Sequence, residues 1–279
     1  MTGARYRPIV FYFNYEIKYI LRTPWLWLGC LWVMLFTGMV LMQQNGFSVW
    51  ESLYISLGHP MIASMALLPF GILMTSLISE SISLRESRAR IGHKRLFAGY
   101  VSLAAIMSFI CLALQCLFVI SLSIVRGQVF AYAWSNLAYA MANAQKQTGG
   151  VMLPLLPINE MIIRDFTPFQ AFACSWLLLF ALLLFYWLIS FLFSYQYGRR
   201  KSGGLIVYGL HVLGYIAIQT TMPLSMVIPL GHFFLCYRDP WSYLPYATLA
   251  ETLLMFFCYL TIGAILYRYS HYENYAKVL

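Results

Sequence analysis

The sequence predicts an all-α polytopic membrane protein: six transmembrane helices, an amphipathic interfacial helix before the first, and a re-entrant hairpin before the last. Two observations carry this prediction. The chain of 279 residues is 61% hydrophobic and only 10% charged, with a mean hydropathy of +0.72, whereas soluble domains hold about 25% charged residues and about 45–50% apolar ones. A surface so poor in charge has to face lipid, and the same numbers exclude a disordered chain, a coiled coil and a small disulfide scaffold. The second observation is a series of stretches without Asp, Glu, Lys or Arg, at residues 23–50, 52–79, 96–125, 166–198, 202–237 and 252–267. A spanning helix needs about 20 apolar residues to cross a hydrocarbon core of about 30 Å, and a charge at its centre costs about 2.5–3.5 kcal/mol even on lenient scales. The expected spans are therefore 24–43, 59–79, 97–125, 169–194, 203–222 and 248–268. A β-barrel would require alternation every second residue, and the run LLLFALLLFYWLISFLF does not alternate.

The lead, residues 1–23, reads as a separate unit ahead of one transmembrane domain, residues 24–279. Within it Val10, Phe13, Ile17, Ile20 and Leu21 share one side of a helix, and Arg7, Asn14, Lys18 and Arg22 the other. Such a helix lies in the membrane interface, with Lys18 and Arg22 on its polar face. Thr23 and Pro24 then supply a cap and a first-turn proline for the first span, and Trp25 and Trp27 fall at headgroup depth. The charged lead ahead of a long apolar run does not resemble a cleavable signal peptide.

Orientation follows from the basic residues. With both termini cytoplasmic, all but Arg126, Lys146, Arg164 and Arg238 of the 18 Lys and Arg residues lie on inner segments, as the positive-inside rule requires. The net charge of +9 is thus a topology signal beside anionic lipid, and nucleic-acid binding is not expected. The cysteines form no CxxC pair, and most fall within expected spans, where Cys behaves as a small hydrophobe.

Segment 80–95, between the second and third spans, is the most charged part of the chain and longer than a simple connector needs. A short charged helix ending near Gly92 suits docking into a groove on a soluble partner, with electrostatics setting register. On the outer side, residues 126–168 form a loop too apolar for a free linker. It contains a run with helical character at 135–145, followed by Gly149, Gly150, Pro154 and Pro157. Segment 223–247 carries Pro223, Pro229, Gly231, Pro240 and Pro245 in an apolar context, which fits a re-entrant hairpin covered by protein or water.

Ionisable residues at membrane depth are few: Glu251, His211, His59 and His232. They are too sparse for a proton relay, and His59 and His211 do not match in depth as a haem pair. His211 reads as a hydrogen-bonded interhelical histidine. No GxSxG, HExxH or GxxxxGK[ST] pattern occurs, so no catalytic residue, metal site or cofactor is expected.

The layout resembles the membrane subunit of an ABC transporter, in the type-2 exporter permease superfamily. FNYEIKYILRTPWLWLG looks like that family's amphipathic connecting helix. Segment 80–95 looks like its coupling helix, although Glu80 is followed by Ser-Ile-Ser where the family usually has Gly-Thr-Leu. Segment 223–247 is similar to its extracellular re-entrant helices. The resemblance implies a permease that pairs with a second copy or a homologous subunit in the bacterial cytoplasmic membrane. ATP would be bound by a separate ATPase subunit. Glu80, Arg85, Glu86, Arg88 and Arg90 would transmit its closure to the spans, and the cargo would be amphiphilic: a peptide, a lipid-like molecule or a drug. Competing readings are a secondary transporter or channel without an ATPase, which would need midplane charges or inverted repeats, and a membrane enzyme or haem subunit.

Overall fold

The computed structural model describes residues 18, 21–42, 46–59, 62, 70, 93–147, 157–197, 209, 211–213, 257 and 261. These residues are all-helical, without a strand among them. The elements are α1 (Pro24–Met42), α2 (Val49–Gly58), α3 (His93–Val125), α4 (Asn136–Gln147), α5 (Glu160–Asp165) and α6 (Pro168–Tyr197). Three of them contain stretches long and apolar enough to cross a membrane: Pro24–Met42, Val101–Val125 and Pro168–Ser190. They coincide with the first, third and fourth expected spans. Of the second, His59, Ile62 and Phe70 are described, all three buried and the last two helical. Of the fifth and sixth, residues 209, 211–213, 257 and 261 are described and helical. The expected re-entrant segment 223–247 lies outside the described residues.

The faces of α1 show what surrounds it. Its exposed side carries Trp25, Trp27, Leu28, Leu31, Trp32, Leu35, Met39 and Met42, and its buried side includes Gly29, Cys30, Thr37 and Gly38. A helix in water would carry polar groups on its exposed side. Here the exposed side is apolar, as lipid requires, while Leu26, Val33 and Leu41 share the buried side with Gly29, Cys30, Thr37 and Gly38, whose small side chains let backbones approach. A Cβ on Gly38 would stand 3.4 Å from the ring of Phe118. The exposed Phe109 and Leu117 of α3 and Leu177 of α6 extend the same outward apolar surface.

The ends of the spans are capped, because an unpaired backbone N–H or C=O at membrane depth costs several kcal/mol. Proline opens α6 at its first position, and Thr167 and Gln170 exchange reciprocal side-chain-to-backbone bonds there. At the other end of its membrane crossing, α3 stops on Gly127, whose φ of +70° suits glycine. The N–H groups of Gly127 and Gln128 bond back to the carbonyls of Ile124 and Ser123, which closes the helix as a Schellman motif. Arg126 donates from Nη1 to the carbonyl of Leu41 at 2.7 Å and so caps the end of α1.

Above these ends sits a cap. Residues of α2, α4, α5 and the segments between them form one core with the adjoining ends of the spans: Phe47, Val49, Leu53, Tyr54, Trp134, Ala138, Ile158 and Ile162 pack with Leu41, Val119 and Ala171. The run expected to be helical at 135–145 is α4. The elements that residue pattern did not suggest are α2 and the short α5. Segment 44–58 reads in sequence as part of an outer connection, yet Val49–Gly58 is a helix buried along all its length except Trp50. It is wedged between α6, α3 and α1. Its ten residues span only about 15 Å, so it cannot cross the bilayer. The indole of Trp50 completes the wedge against the rings of Phe130, Phe169 and Phe172, at centroid distances of 5.1, 4.9 and 5.7 Å.

Candidate functional site

The buried wedge concentrates the interior polarity of the described residues at its two ends. At its start, Ser48 and Glu51 form a capping box: Ser48 Oγ accepts from the N–H of Glu51 at 3.3 Å, and Glu51 Oε2 accepts from the N–H of Ser48 at 2.6 Å. The second carboxylate oxygen does something a local cap does not require. Oε1 accepts from the N–H of Ser135 at 2.6 Å, and Ser135 in turn caps α4 through its hydroxyl on the N–H of Ala138 at 3.2 Å. A fully buried carboxylate therefore sits at the N-terminal ends of two helices and joins them. Both helix dipoles present their positive ends to it. Beside it Ser52 donates to Gln128 Oε1 at 2.9 Å, and the Tyr54 hydroxyl donates to the carbonyl of Pro157. The wedge is thus tied to the loop after α3, to α4 and to the segment before α5.

The far end of α2 lies among the spans. His59 is its C-cap, with backbone at φ −82° and ψ 115°, the extended geometry expected of a residue before proline. Residue 60 is Pro60, which has no N–H to give to the carbonyl four residues back, that of Ser56. Gln115 of α3 supplies the missing donor: its Nε2 donates to the carbonyl of Ser56 at 3.1 Å and to Thr37 Oγ1 of α1 at 3.3 Å. One amide thereby ties three helices together where one of them breaks. Ser175 of α6 closes the fourth side, its hydroxyl 3.5 Å from where a Cβ on Gly58 would stand. Thr37, Ser56, Gln115 and Ser175 are all buried. Gln115 Oε1 and Ser175 Oγ have no hydrogen-bond partner among the described residues. The groups it offers are neutral and amphoteric: hydroxyls, an amide and carbonyls.

Deeper along α6, the Tyr186 hydroxyl and His211 Nδ1 are hydrogen-bonded at 2.6 Å, both residues being buried. The interhelical histidine expected from the sequence is therefore found, with Tyr186 as its partner.

Of the residues singled out from the sequence, Lys18 and Arg22 are helical and exposed, one turn apart. Thr23 breaks the helix between them and α1, and Trp27 Nε1 reaches back across that break to the carbonyl of Leu21 at 3.0 Å. Glu80, Arg85, Glu86, Arg88 and Arg90 lie outside the described residues, as do His232 and Glu251. Of segment 80–95, only residues 93–95 are described; they form the first turn of α3. Glu51 and Gln115 were not singled out. Ser48-x-x-Glu51 ahead of an apolar run is a legible capping-box pattern, and Gln115 is a lone amide within a charge-free stretch. No group of His, Cys, Asp and Glu residues that could hold a metal ion occurs among the described residues.

No protein-family model, curated protein or solved structure matches this chain.

Proposed function

We propose that this chain is the permease subunit of an ATP-driven ABC exporter, moving an amphiphilic substrate across the bacterial cytoplasmic membrane with energy from a separate ATPase. The observation that best supports this reading is the junction before α1. An exposed basic helical turn carrying Lys18 and Arg22 ends at Thr23, and Trp27 bonds it to the span that follows. A force applied to that interfacial helix from the cytoplasmic side is passed to α1 through a fixed joint rather than a slack linker. The residues assigned to receive the force are Glu80, Arg85, Glu86, Arg88 and Arg90, acting on a chain that pairs with a second permease. They transmit motion and perform no chemistry.

Affinity purification of the tagged chain from its native membrane tests the proposal. An ATPase of soluble composition is expected to co-purify and to be released when residues 80–90 are replaced by a Gly/Ser linker. Retention of the ATPase and of transport by that variant overturns the coupling assignment.

A second reading, a secondary transporter or channel, draws on the broken helix at His59. Discontinuous helices bind substrates at the midplane in such proteins.

A further inference from the structure

Serine in a membrane helix ordinarily satisfies its hydroxyl on a carbonyl about one turn back. This chain does so where it can: Ser121 donates to the carbonyl of Leu117 and Ser56 to that of Leu53, each at 2.8 Å. Ser108, Ser175 and Ser190 do not. Their hydroxyls, with Gln115 Oε1, are buried and have no partner among the described residues. Their positions are regular. Ser108 and Gln115 are seven residues apart on α3, two helical turns, and thus share a face over about 10 Å of axis. Ser175, Tyr186 and Ser190 fall within about 60° of one another around α6, over about 22 Å of axis. The two helices pack against each other, and the bonded pair of Tyr186 and His211 lies along the α6 series.

Hydroxyls that forgo the available back-bond keep both a donor and an acceptor for the buried interior around them. The ligand that fits a row of neutral, amphoteric groups is water, which takes about three hydrogen bonds when buried. We propose that bound water molecules satisfy Gln115, Ser175, Ser108 and Ser190 in the buried interior where α3 and α6 meet α1 and α2. They begin at the break in α2, where one water bridges Gln115 Oε1 and Ser175 Oγ, and continue along the buried faces of α3 and α6. This inference does not depend on whether an ATPase drives the chain.

Hydroxyl-radical footprinting by X-ray radiolysis, applied to the full chain in lipid nanodiscs, tests it, because radicals born from bound water oxidise adjacent side chains. Met107, 1% exposed, neighbours Ser108 in sequence, and Met39 is 60% exposed on the lipid face of α1. A hydrated interior oxidises Met107 several-fold faster than Met39, in inverse order of exposure. Cys111, three residues after Ser108 and four before Gln115 on the same face, is the second reporter. Its oxidation is expected to fall several-fold in Ser108→Ala and in Ser175→Ala, with Met39 unchanged. Met107 oxidised no faster than Met39, or Cys111 oxidation unchanged in both variants, overturns the proposal.

Discussion

Replacing Glu51 with alanine should destabilise the cap more than any other single change in it. Two backbone N–H groups, those of Ser48 and Ser135, end on its carboxylate at 2.6 Å each. Glu51 is 0% and Ser48 6% exposed, so solvent cannot replace the lost acceptor at the start of α2. A buried donor left without a partner costs about 1–3 kcal/mol; the N–H of Ser48 incurs this in full and that of the half-buried Ser135 in part, which puts Glu51→Ala at about 2–4 kcal/mol before any cavity term. Glu51→Gln keeps the volume and one acceptor oxygen but turns an NH2 toward one of the two N–H groups. It should lose about half as much, about 1–2 kcal/mol. At about 2–4 °C per kcal/mol for a chain of this size, the alanine variant should melt at least about 4 °C lower, with glutamine in between. The chain carries its own reporters: Cys30 and Cys111 are buried, and a thiol-reactive fluorophore reads their exposure on heating. A melting temperature for Glu51→Ala within one degree of the parent would refute the reasoning. Glutamine proving worse than alanine would show that the site is governed by sterics and not by acceptors.

Three further outcomes follow from named contacts. Gln115→Leu removes the donor that reaches the carbonyl of Ser56 and should cost about 1–3 kcal/mol, read by the same thermal assay; an unchanged melting point would show that the break in α2 needs no cap. Tyr186→Phe removes the hydrogen bond to His211 and should cost about 0.6–1.7 kcal/mol, the range for interhelical bonds in bilayers, so a loss well above that range would point to a wider network. Gly127→Ala meets no atom within 4 Å but must adopt a φ of +70°, so its cost is backbone strain alone, about 1–2 kcal/mol; Gly127→Asn, which tolerates that conformation better, should recover much of the loss.

How far the fold could be read from sequence depended on whether the information was local. The first, third and fourth spans were legible to within a few residues because lipid imposes one rule along a whole helix: no charge for about 20 residues. Thr23-Pro24 marked the start of α1, and α4 was visible as a run with helical character. The wedge α2 was not legible. Glu51 interrupts two charge-free stretches, and an acid between apolar runs suggests water on the outer surface. It is buried instead because Ser135, 84 residues away, donates to it, a pairing that no local pattern encodes. The same holds for Gln115 and Ser56, 59 residues apart. The partner of His211 was likewise hidden, since Tyr186 is one of 21 tyrosines and only packing distinguishes it.

Reconstitution tests most directly whether the chain is a conduit moved by another protein's nucleotide hydrolysis. The purified chain alone, in vesicles under a proton or sodium gradient, should leave the gradient intact; adding its co-purified ATPase should make ATP hydrolysis faster than that of the ATPase without the chain. Dissipation of the gradient by the chain alone, with no effect on the ATPase, would contradict the permease reading and establish a secondary transporter or channel in its place.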